Sequence, residues 1–403
     1  MIIDGKRSLA HVEKIAWVKP IEGADDIELI GVLGWTCIGE FGEFKENDLC
    51  VYIEIDSKVP QKEWSEFLRE KDFKIKTVKL SNTNVISQGL ALPLDVFDVE
   101  IPEKEGSDVT ELLEIKYLNH DDASGEEDEN ESMSQRRREL FDSSLEKGLM
   151  KRKWGKSLMG SLFGVNDEKS ENFPIQFQNI SNEGLEHCEN IPDILNDKTP
   201  YIRTQKCDGT SVTYILEKVK SNRLNTNYEF YVFSHNLRVF EDDTPLVDGE
   251  NPYWEMADLY DIEKKLKHYL ENHKDRDYVC WQGEICGPDI HGNPQKLDED
   301  RLFCFNMIDS NGQFDIRDAK VIWDAYGMEY VPIDFKEYIL PDDFEEFKLS
   351  ADKNYDPNIC DGQTGCEMEG WVYYKTTDPS FSFKNISRRY LLKKEEEIKK
   401  CLD

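Results

Sequence analysis

Apolar and polar residues alternate in short runs along most of this chain, and Gly, Pro, Asn or Asp separates one run from the next. Alternation with a period of two is typical of β-strands that bury one face. The N-terminal part contains such runs at regular spacing, which predicts a small β-barrel. The runs are Ser8–Ile15, Pro20–Leu29, Val32–Trp35, Asp48–Ser57, Ile75–Leu80 and Ile86–Leu94.

The C-terminal half has runs of another kind, in which one polar residue remains inside an otherwise apolar stretch. Each is bounded by Gly or polar residues, as expected for a short buried strand. They are Phe233–Leu237, Trp281–Pro288, Leu302–Asp309, Met368–Val372 and Ser382–Ser387. A last segment rich in Lys and Glu, Arg388–Leu402, predicts an amphipathic helix. Strands with flanking helices indicate an α+β protein.

A charged stretch separates the two halves. Residues 121–132 combine many acids with few apolar side chains, which is typical of disorder. A chain of 403 residues is long enough for two domains that each have a core. We therefore predict a β-barrel domain at 1–110, an acidic and partly disordered linker at 111–170, and a second domain at 171–403.

Composition limits the class of protein. Hydrophobic residues make up 38% of the chain and charged residues 33%. No run approaches the ~20 apolar residues of a membrane span. The N-terminus is too charged for a secretory signal. The ten cysteines are scattered without Cys-x-x-Cys or Cys/His spacing, which favours buried free thiols over disulfides or zinc. These features predict a cytoplasmic, reducing location and no membrane contact.

The net charge of −33 is unusual for a protein that binds nucleic acid through phosphate contacts. Residues 119–132 carry only seven of the acids, so the acidity is spread over the chain. Nucleic acid would then bind through a local basic strip or be delivered by a partner. Two sets of basic residues suggest themselves: Lys74, Lys76 and Lys79 on one face of a predicted strand, and Arg388, Arg389, Lys393 and Lys394 in the closing helix.

The segment Lys206-Cys207-Asp208-Gly209 lies between two strand-like runs. A lysine can attack the α-phosphorus of a nucleotide only as the free amine, so its pKa must be lowered by burial or by neighbouring cations. An acid two residues later shares its strand face and can help to bind a metal, and glycine permits a close approach of the backbone. The same four residues also suit an ordinary turn at a strand end.

The order of the later segments distinguishes these interpretations. Lys206-x-Asp208-Gly209, followed by the five runs of the C-terminal half, resembles the nucleotidyltransferase motifs shared by ATP-dependent RNA ligases, DNA ligases and RNA capping enzymes. The resemblance implies an adenylyltransferase domain of the ATP-grasp-like ligase type, with antiparallel sheets and flanking helices. It implies ATP as the nucleotide and Mg²⁺, or Mn²⁺, as the metal.

The resemblance also implies roles for individual residues. Lys206 would be the nucleophile, and Lys384 would contact the α-phosphate. Glu284 would bind the ribose, Phe305 would stack on the purine, and Gln205 is a candidate for the adenine edge. Gly209 would lie against the nucleotide, and the carboxylates that would serve the metal are Asp208, Glu284 and Glu369. Phe305 could instead belong to the core, and either glutamate could be a paired structural carboxylate.

The N-terminal barrel narrows the family. Its pattern looks like an OB fold, and an OB domain placed before the nucleotidyltransferase domain resembles the fifth family of RNA ligases. DNA ligases and capping enzymes carry their OB domain after it. The expected activity is therefore RNA repair, in which Lys206 takes AMP from ATP, AMP moves to a 5′-phosphate, and a 3′-hydroxyl attacks. The implied partners are nicked or broken RNA, or an RNA/DNA hybrid, bound by a monomer.

Some positions depart from that family. The arginine expected upstream of the nucleophile, where it would meet the ATP phosphates, is missing, and His235 stands where the family has arginine. His235 would be mostly neutral at pH 7. Arg203 and Arg238 could compensate as phosphate contacts or could be surface residues. The alternatives are therefore a DNA ligase, a capping guanylyltransferase, or a nucleic-acid-binding protein with impaired catalysis.

Overall fold

The computed structural model describes residues 1–3, 6–22, 24–80, 85–118, 177, 180, 184–222, 225–234, 237–241, 251–288 and 290–394. Residues 1–118, 182–235 and 239–403 form one compact unit, and residues 119–181 and 236–238 form a second. Residues 119–170 of the predicted linker lie outside the described residues. The predicted domain boundaries stay a prediction.

The N-terminal part forms an antiparallel β-barrel, as its alternating pattern predicts. Inward-facing positions such as Val12, Ile30 and Val51 are buried. The strands are β1 (Ile2–Ile3), β2 (Lys6–Arg7), β3 (Ala10–Ile21), β4 (Ala24–Val32), β5 (Trp35–Glu40), β6 (Leu49–Ile53), β7 (Ser57–Lys58), β8 (Lys74–Ile75), β9 (Val78–Lys79), β10 (Ile86–Ser87), β11 (Leu90–Pro93) and β12 (Lys116–Tyr117), with 3-10 helices at Glu63–Lys71 and Leu94–Val96. The main sheet has the order β11-β6-β3-β4-β5.

The prediction of one basic strand through Lys74, Lys76 and Lys79 is wrong. Lys74 lies on β8, in a sheet with β7 and β12, whereas Lys79 lies on β9 and pairs with β10. The 3-10 helix that precedes β8 ends at Asp72, whose backbone is left-handed, and Asp72 forms an ion pair with Lys74 at 2.9 Å. The three lysines therefore do not lie on one strand.

Among the residues described, the C-terminal part contains two main sheets with helices beside them. The strands are β13 (Glu186–His187), β14 (Tyr201–Lys206), β15 (Thr210–Asn222), β16 (Asn225–Ser234), β17 (Leu237–Arg238), β18 (Tyr278–Cys286), β19 (Arg301–Asp309), β20 (Gly312–Gln313), β21 (Ile333–Tyr338), β22 (Gly370–Lys375) and β23 (Asp378–Ile386). One sheet has the order β13-β23-β22-β14-β21, and the other contains β16-β15-β18-β19-β20 in that order. The helices are α1 (Pro252–Leu259), α2 (Ile262–Asn272), α3 (Ile316–Tyr326) and α4 (Phe344–Leu349), with 3-10 helices at Cys188–Asn190, Pro192–Asn196 and Pro357–Ile359.

Local sequence explains where the helices begin and end. The side chain of Asn251 accepts from the Trp254 amide at the start of α1, and Asp315 accepts from the Arg317 amide at the start of α3. Both are preferred N-cap residues. Helix α3 ends at Gly327, whose φ of 65° is left-handed and favours glycine. A further helix begins at Arg388 and is described through residue 394.

Two apolar cores support the two sheets of the C-terminal part. One lies around Trp281 and Leu266, and the other lies around Phe347, Tyr373 and Phe383. The chain passes from the first sheet to the second between Lys206, the last residue of β14, and Thr210, the first of β15. The predicted nucleophile therefore lies where the chain leaves one sheet for the other. The α+β class with mostly antiparallel sheets is confirmed.

All nine described cysteines are buried free thiols, as expected. No helix among the residues that the structure describes is long and apolar enough to span a membrane.

Candidate active site

Lys206 forms an ion pair with Glu369. The Nζ atom donates to Oε2 at 2.9 Å, and the two side chains are 25% and 15% exposed. Cross-strand pairing of Lys206 with Gly370 brings them together, since Glu369 immediately precedes β22. Burial alone would lower the pKa of Lys206, but the negative charges of Glu369, Glu284 and Asp208 outweigh it and raise the pKa well above its usual value.

The turn after Lys206 lies close to the end of β18. A Cβ atom at Gly209 would lie 2.3 Å from the Ile285 carbonyl oxygen, so only glycine fits. The Gly209 amide donates to Oε1 of Glu284 at 3.2 Å. Burial raises the pKa of Glu284 to about 7. The negative charges of Glu369 and Asp208 also raise this pKa, whereas the positive charge of Lys206 lowers it. The Glu284 carboxyl is therefore expected to change its protonation state near neutral pH.

Lys384 shares a sheet face with Lys206. Strand pairing places Thr204, Val372 and Lys384 in one row, and Lys206 lies two residues beyond Thr204 on the same strand face. Burial lowers the pKa of Lys384 to about 7, and the positive charges of Arg7 and Lys206 contribute in the same direction. Lys384 therefore changes charge near pH 7 and could bind an anion in its charged form.

Arg7, on the short strand that precedes the barrel, is a charged neighbour of this site. Its guanidinium donates to Glu54 at 3.0 Å and lies 5.7 Å from the centre of the Tyr117 ring. Burial raises the pKa of Tyr117, and the charges of Lys206 and Glu369 also affect that pKa. Arg7 and Tyr117 therefore lie in the electrostatic surroundings of the two lysines. Sequence patterns did not single out either residue.

Three side chains contact the Asp208 carboxylate. One carboxylate oxygen contacts His291 Nδ1 at 3.2 Å, and the other accepts from the Tyr390 hydroxyl and from Lys394 Nζ at 3.0 Å. Although burial opposes it, hydrogen bonding to His291 and the charge of Lys394 hold the pKa of Asp208 well below its usual range. Asp208 thus contacts the closing helix. Sequence analysis did not identify His291 or Tyr390 as contacts of Asp208.

The four basic side chains in the described part of the closing helix, residues 388–394, contact acids. Arg388 pairs with Glu345 at 2.9 Å, Arg389 and Lys393 pair with Glu367 at 3.2 and 3.7 Å, and Lys394 pairs with Asp208 at 3.0 Å. This favours a structural role for these cations over an open basic strip for RNA.

The other described residues that were predicted to contact the nucleotide have partners within the protein. Phe305 is half-buried and packs against the apolar core around Tyr373, and Gln205 Oε1 accepts from the Asp356 amide at 2.9 Å. Arg203 lies 4.3 Å from the ring centres of both Tyr338 and Trp371, and it pairs with Asp334 at 2.9 Å. Strand alternation places Arg203 on the face of β14 opposite Lys206.

The structure describes two of the three residues that were predicted to contact phosphate, Arg203 and Arg238. The partners of Arg203 are structural, which weighs against a phosphate role. His235 lies outside the described residues, and Arg238 lies on β17 in the second unit. The predicted contacts of both stay predictions.

The predicted metal residues do not form one cluster. Among the residues described, no three His, Cys, Asp or Glu side chains come together as a metal-binding group. Glu369 and Glu284 lie beside Lys206, whereas Asp208 is engaged by His291, Tyr390 and Lys394. Mg²⁺ is commonly bound by one or two carboxylates together with water and substrate phosphates. Glu369, with Glu284 near it, fits that arrangement.

Known proteins share both the domains and the fold. Residues 9–94 match an OB-fold domain model and residues 199–393 match an RNA ligase model. A variant of Naegleria gruberi RNA ligase with ATP and Mn is 23% identical, covers 97% of this chain and 98% of its own, and has a TM-score of 0.70. The same ligase with PPi is 24% identical, with coverages of 97% and 99% and a TM-score of 0.70. No curated protein matches the chain significantly.

The domain order agrees with the expectation from sequence. The OB-fold match lies before the RNA ligase match, an order that the resemblance to the fifth RNA ligase family predicted and that DNA ligases and capping enzymes do not share. The structural likeness extends over nearly the whole chain and shows a common fold. Residues 199–393 are therefore similar to the RNA ligase family, and the segment that precedes them is similar to an OB-fold domain.

Proposed function

We propose that this protein is an ATP-dependent RNA ligase that works through a covalent lysyl-AMP at Lys206. The observation that carries the proposal is the group of Lys206, Glu369, Glu284 and Lys384 at the junction of the two sheets. It combines a candidate nucleophile, two acids and a second lysine. The similar Naegleria structures contain ATP, PPi or AMP, which are the substrate and the two released products of the overall ligation.

The proposed reaction has three balanced steps. The neutral amine of Lys206 attacks the α-phosphorus of ATP, an N–P bond forms, and the P–O bond to the leaving pyrophosphate breaks. A 5′-phosphate of RNA then attacks the lysyl-AMP and takes the adenylyl group, which frees Lys206. Finally, a 3′-hydroxyl attacks that 5′-phosphate, a phosphodiester forms, and AMP leaves.

Lys206 must lose a proton before the first step. The ion pair with Glu369 stabilises the ammonium form and raises the pKa of Lys206, so the free protein disfavours attack. A divalent cation at Glu369 would neutralise the carboxylate and the phosphates, and it would favour the neutral amine. Glu369 would thus serve both the resting lysine and the metal. We include Mg²⁺ or Mn²⁺ in the proposal for this reason.

The other roles follow from position. Lys384, on the same sheet face as Lys206, would contact the α-phosphate and stabilise negative charge that develops during transfer. Glu284, which already accepts from the Gly209 amide, would bind the ribose, and Phe305 would supply an aromatic face to the base. The OB domain, which we place at residues 1–110, would bind nicked or broken RNA, including RNA/DNA hybrids, in a monomeric protein.

A sealing assay tests the proposal. The protein is incubated with ATP, Mg²⁺ and a nicked RNA duplex whose 5′-phosphate is labelled, and the products are separated under denaturing conditions. We expect a joined strand, an adenylylated intermediate at early times, and no product with GTP in place of ATP. The matched control is Lys206→Arg, which keeps the charge but has no free amine at neutral pH. Joining by that variant, or no joining by the natural protein, would contradict the proposal.

A further inference from the structure

One buried phenol links the nucleophile to its acid partner. The hydroxyl of Tyr355 donates to the Lys206 carbonyl oxygen at 2.9 Å and accepts from the Asp208 amide at 3.2 Å and from the Glu369 amide at 3.3 Å. A phenol has one donor and two acceptor positions, so these three contacts use its full capacity. Tyr355 is 4% exposed.

The segment around Tyr355 is itself fixed. The Tyr355 amide donates to the Cys366 carbonyl at 2.8 Å, and the Asp356 amide donates to the side chain of Gln205 at 2.9 Å. Asn354 also forms an isolated antiparallel bridge with Glu367. The segment that carries the phenol is therefore hydrogen-bonded to Gln205 of β14 and to Cys366, which precedes β22.

We propose that Tyr355 is a positioning residue for lysine adenylylation, because its hydroxyl fixes the backbone of Lys206 relative to that of Glu369. The inference rests on the proposed function of Lys206 and adds a residue to it. Tyr355 acts on backbone atoms and does not contact the reacting groups. A side-chain pair such as Lys206 and Glu369 keeps its geometry only if the two backbones that carry it keep theirs.

The loss of the hydroxyl has a predictable consequence. Tyr355→Phe leaves the ring in place but removes one partner from each of three buried backbone groups. The turn from Lys206 to Gly209 can then move relative to Glu369. A misplacement of about 1 Å at a reacting group can lower a rate by roughly 100-fold. We expect the rate constant for adenylylation at saturating ATP to fall by about 10- to 100-fold, with the half-saturating ATP concentration changed by less than about 3-fold.

A second tyrosine provides the matched control. The hydroxyl of Tyr52 is also fully buried and donates to a backbone carbonyl, that of Gln88, at 3.1 Å, but it lies inside the barrel. Tyr52→Phe should lower stability through the loss of one buried hydrogen bond and leave the adenylylation rate constant unchanged. The comparison separates a loss of folded protein from a loss of positioning.

The experiment is single-turnover adenylylation of the full chain with ATP labelled at the α-phosphate. The final labelled fraction reports how much protein is active, and the rate constant reports the chemistry of the active part. We expect Tyr355→Phe to lower the rate constant and Tyr52→Phe to lower at most the labelled fraction. Equal rate constants for Tyr355→Phe and the natural protein would overturn the positioning role. If the natural protein itself takes no label, the proposed function fails.

A measurement on the natural protein covers the case in which Tyr355→Phe does not fold. Hydrogen exchange resolved by residue should show the Asp208 and Glu369 amides protected to the degree of amides within β14 and β22. Rapid exchange of both amides would show that the Tyr355 hydroxyl does not restrain them, and it would refute the inference.

Discussion

The charge of Lys384 should make ATP binding depend on pH. In the free protein, burial and the charges of Arg7 and Lys206 lower the pKa of this lysine to about 7. Bound phosphates favour the ammonium form and raise that pKa, so binding takes up a proton when Lys384 starts neutral. The affinity is therefore highest below the free-protein pKa and falls as the pH rises through it.

The magnitude follows from the two charge states. With a pKa of about 7, roughly half of the lysines are charged at pH 7 and only about 3% at pH 8.5. If only the charged form binds phosphate well, the apparent dissociation constant should rise by about 15-fold over this interval. Arginine stays charged throughout, so Lys384→Arg should remove the part of the slope that Lys384 causes.

The assay is calorimetric titration with an ATP analogue whose α–β bridge cannot be cleaved, so that adenylylation does not interfere. Ionisation of the nucleotide contributes equally to both proteins and cancels in the comparison. Glu284 also has a pKa of about 7, so the same pair is measured in a Glu284→Gln background. Identical slopes for Lys384 and Lys384→Arg proteins, or a flat profile for the natural protein, would refute the assignment of Lys384 to phosphate binding.

Three further predictions follow from the surroundings of the site. Arg7→Met removes a positive charge near Lys384, so the pH at which ATP affinity falls should move upward; an unchanged midpoint would show that Arg7 has no influence. Lys394→Met leaves the buried Asp208 carboxylate without one charged donor and should lower the free energy of unfolding by about 1–3 kcal/mol, as measured in urea; no loss would remove that contact from the account. Glu369→Gln should abolish adenylylation with little loss of folding, and full labelling of this variant by ATP would contradict its role.

The alternating pattern predicted the barrel and the antiparallel sheets because one-sided burial leaves a direct trace in sequence. Lys206, Glu284, Glu369 and Lys384 were predicted from their resemblance to nucleotidyltransferase motifs. The structure pairs Lys206 with Glu369, places Glu284 against the turn that follows Lys206, and places Lys384 on the same sheet face. A polar residue inside a buried strand is costly unless it is used or paired, so such positions are visible before folding is known.

Tyr355, His291 and Arg7 could not be found in this way. Tyr355 contacts Lys206 across 149 positions of sequence through its hydroxyl, and a tyrosine near a Pro and an Asn gives no local signal of that contact. His291 follows a strand end in a loop, and Arg7 lies on a two-residue strand before the barrel. Their positions depend on tertiary packing, which hydrophobic periodicity does not encode.

Local pattern could not determine how either set of basic residues is placed. Alternation could not show that β8 and β9 belong to different sheets, which separates Lys74 from Lys79. It also could not show that Arg388 and its neighbours face acids from other segments, such as Glu345 and Glu367. In a chain with a net charge of −33, a cation commonly finds an acidic partner.

The most direct test of the account is to locate the adenylyl group. The protein is incubated with ATP and Mg²⁺, quenched in acid-free denaturant to protect the N–P bond, digested, and analysed by tandem mass spectrometry. We predict AMP on the Nζ atom of Lys206 and on no other lysine, with the adduct removed by added pyrophosphate. AMP on Lys384 or on any other residue, or no adduct in protein that seals RNA, would contradict the central claim.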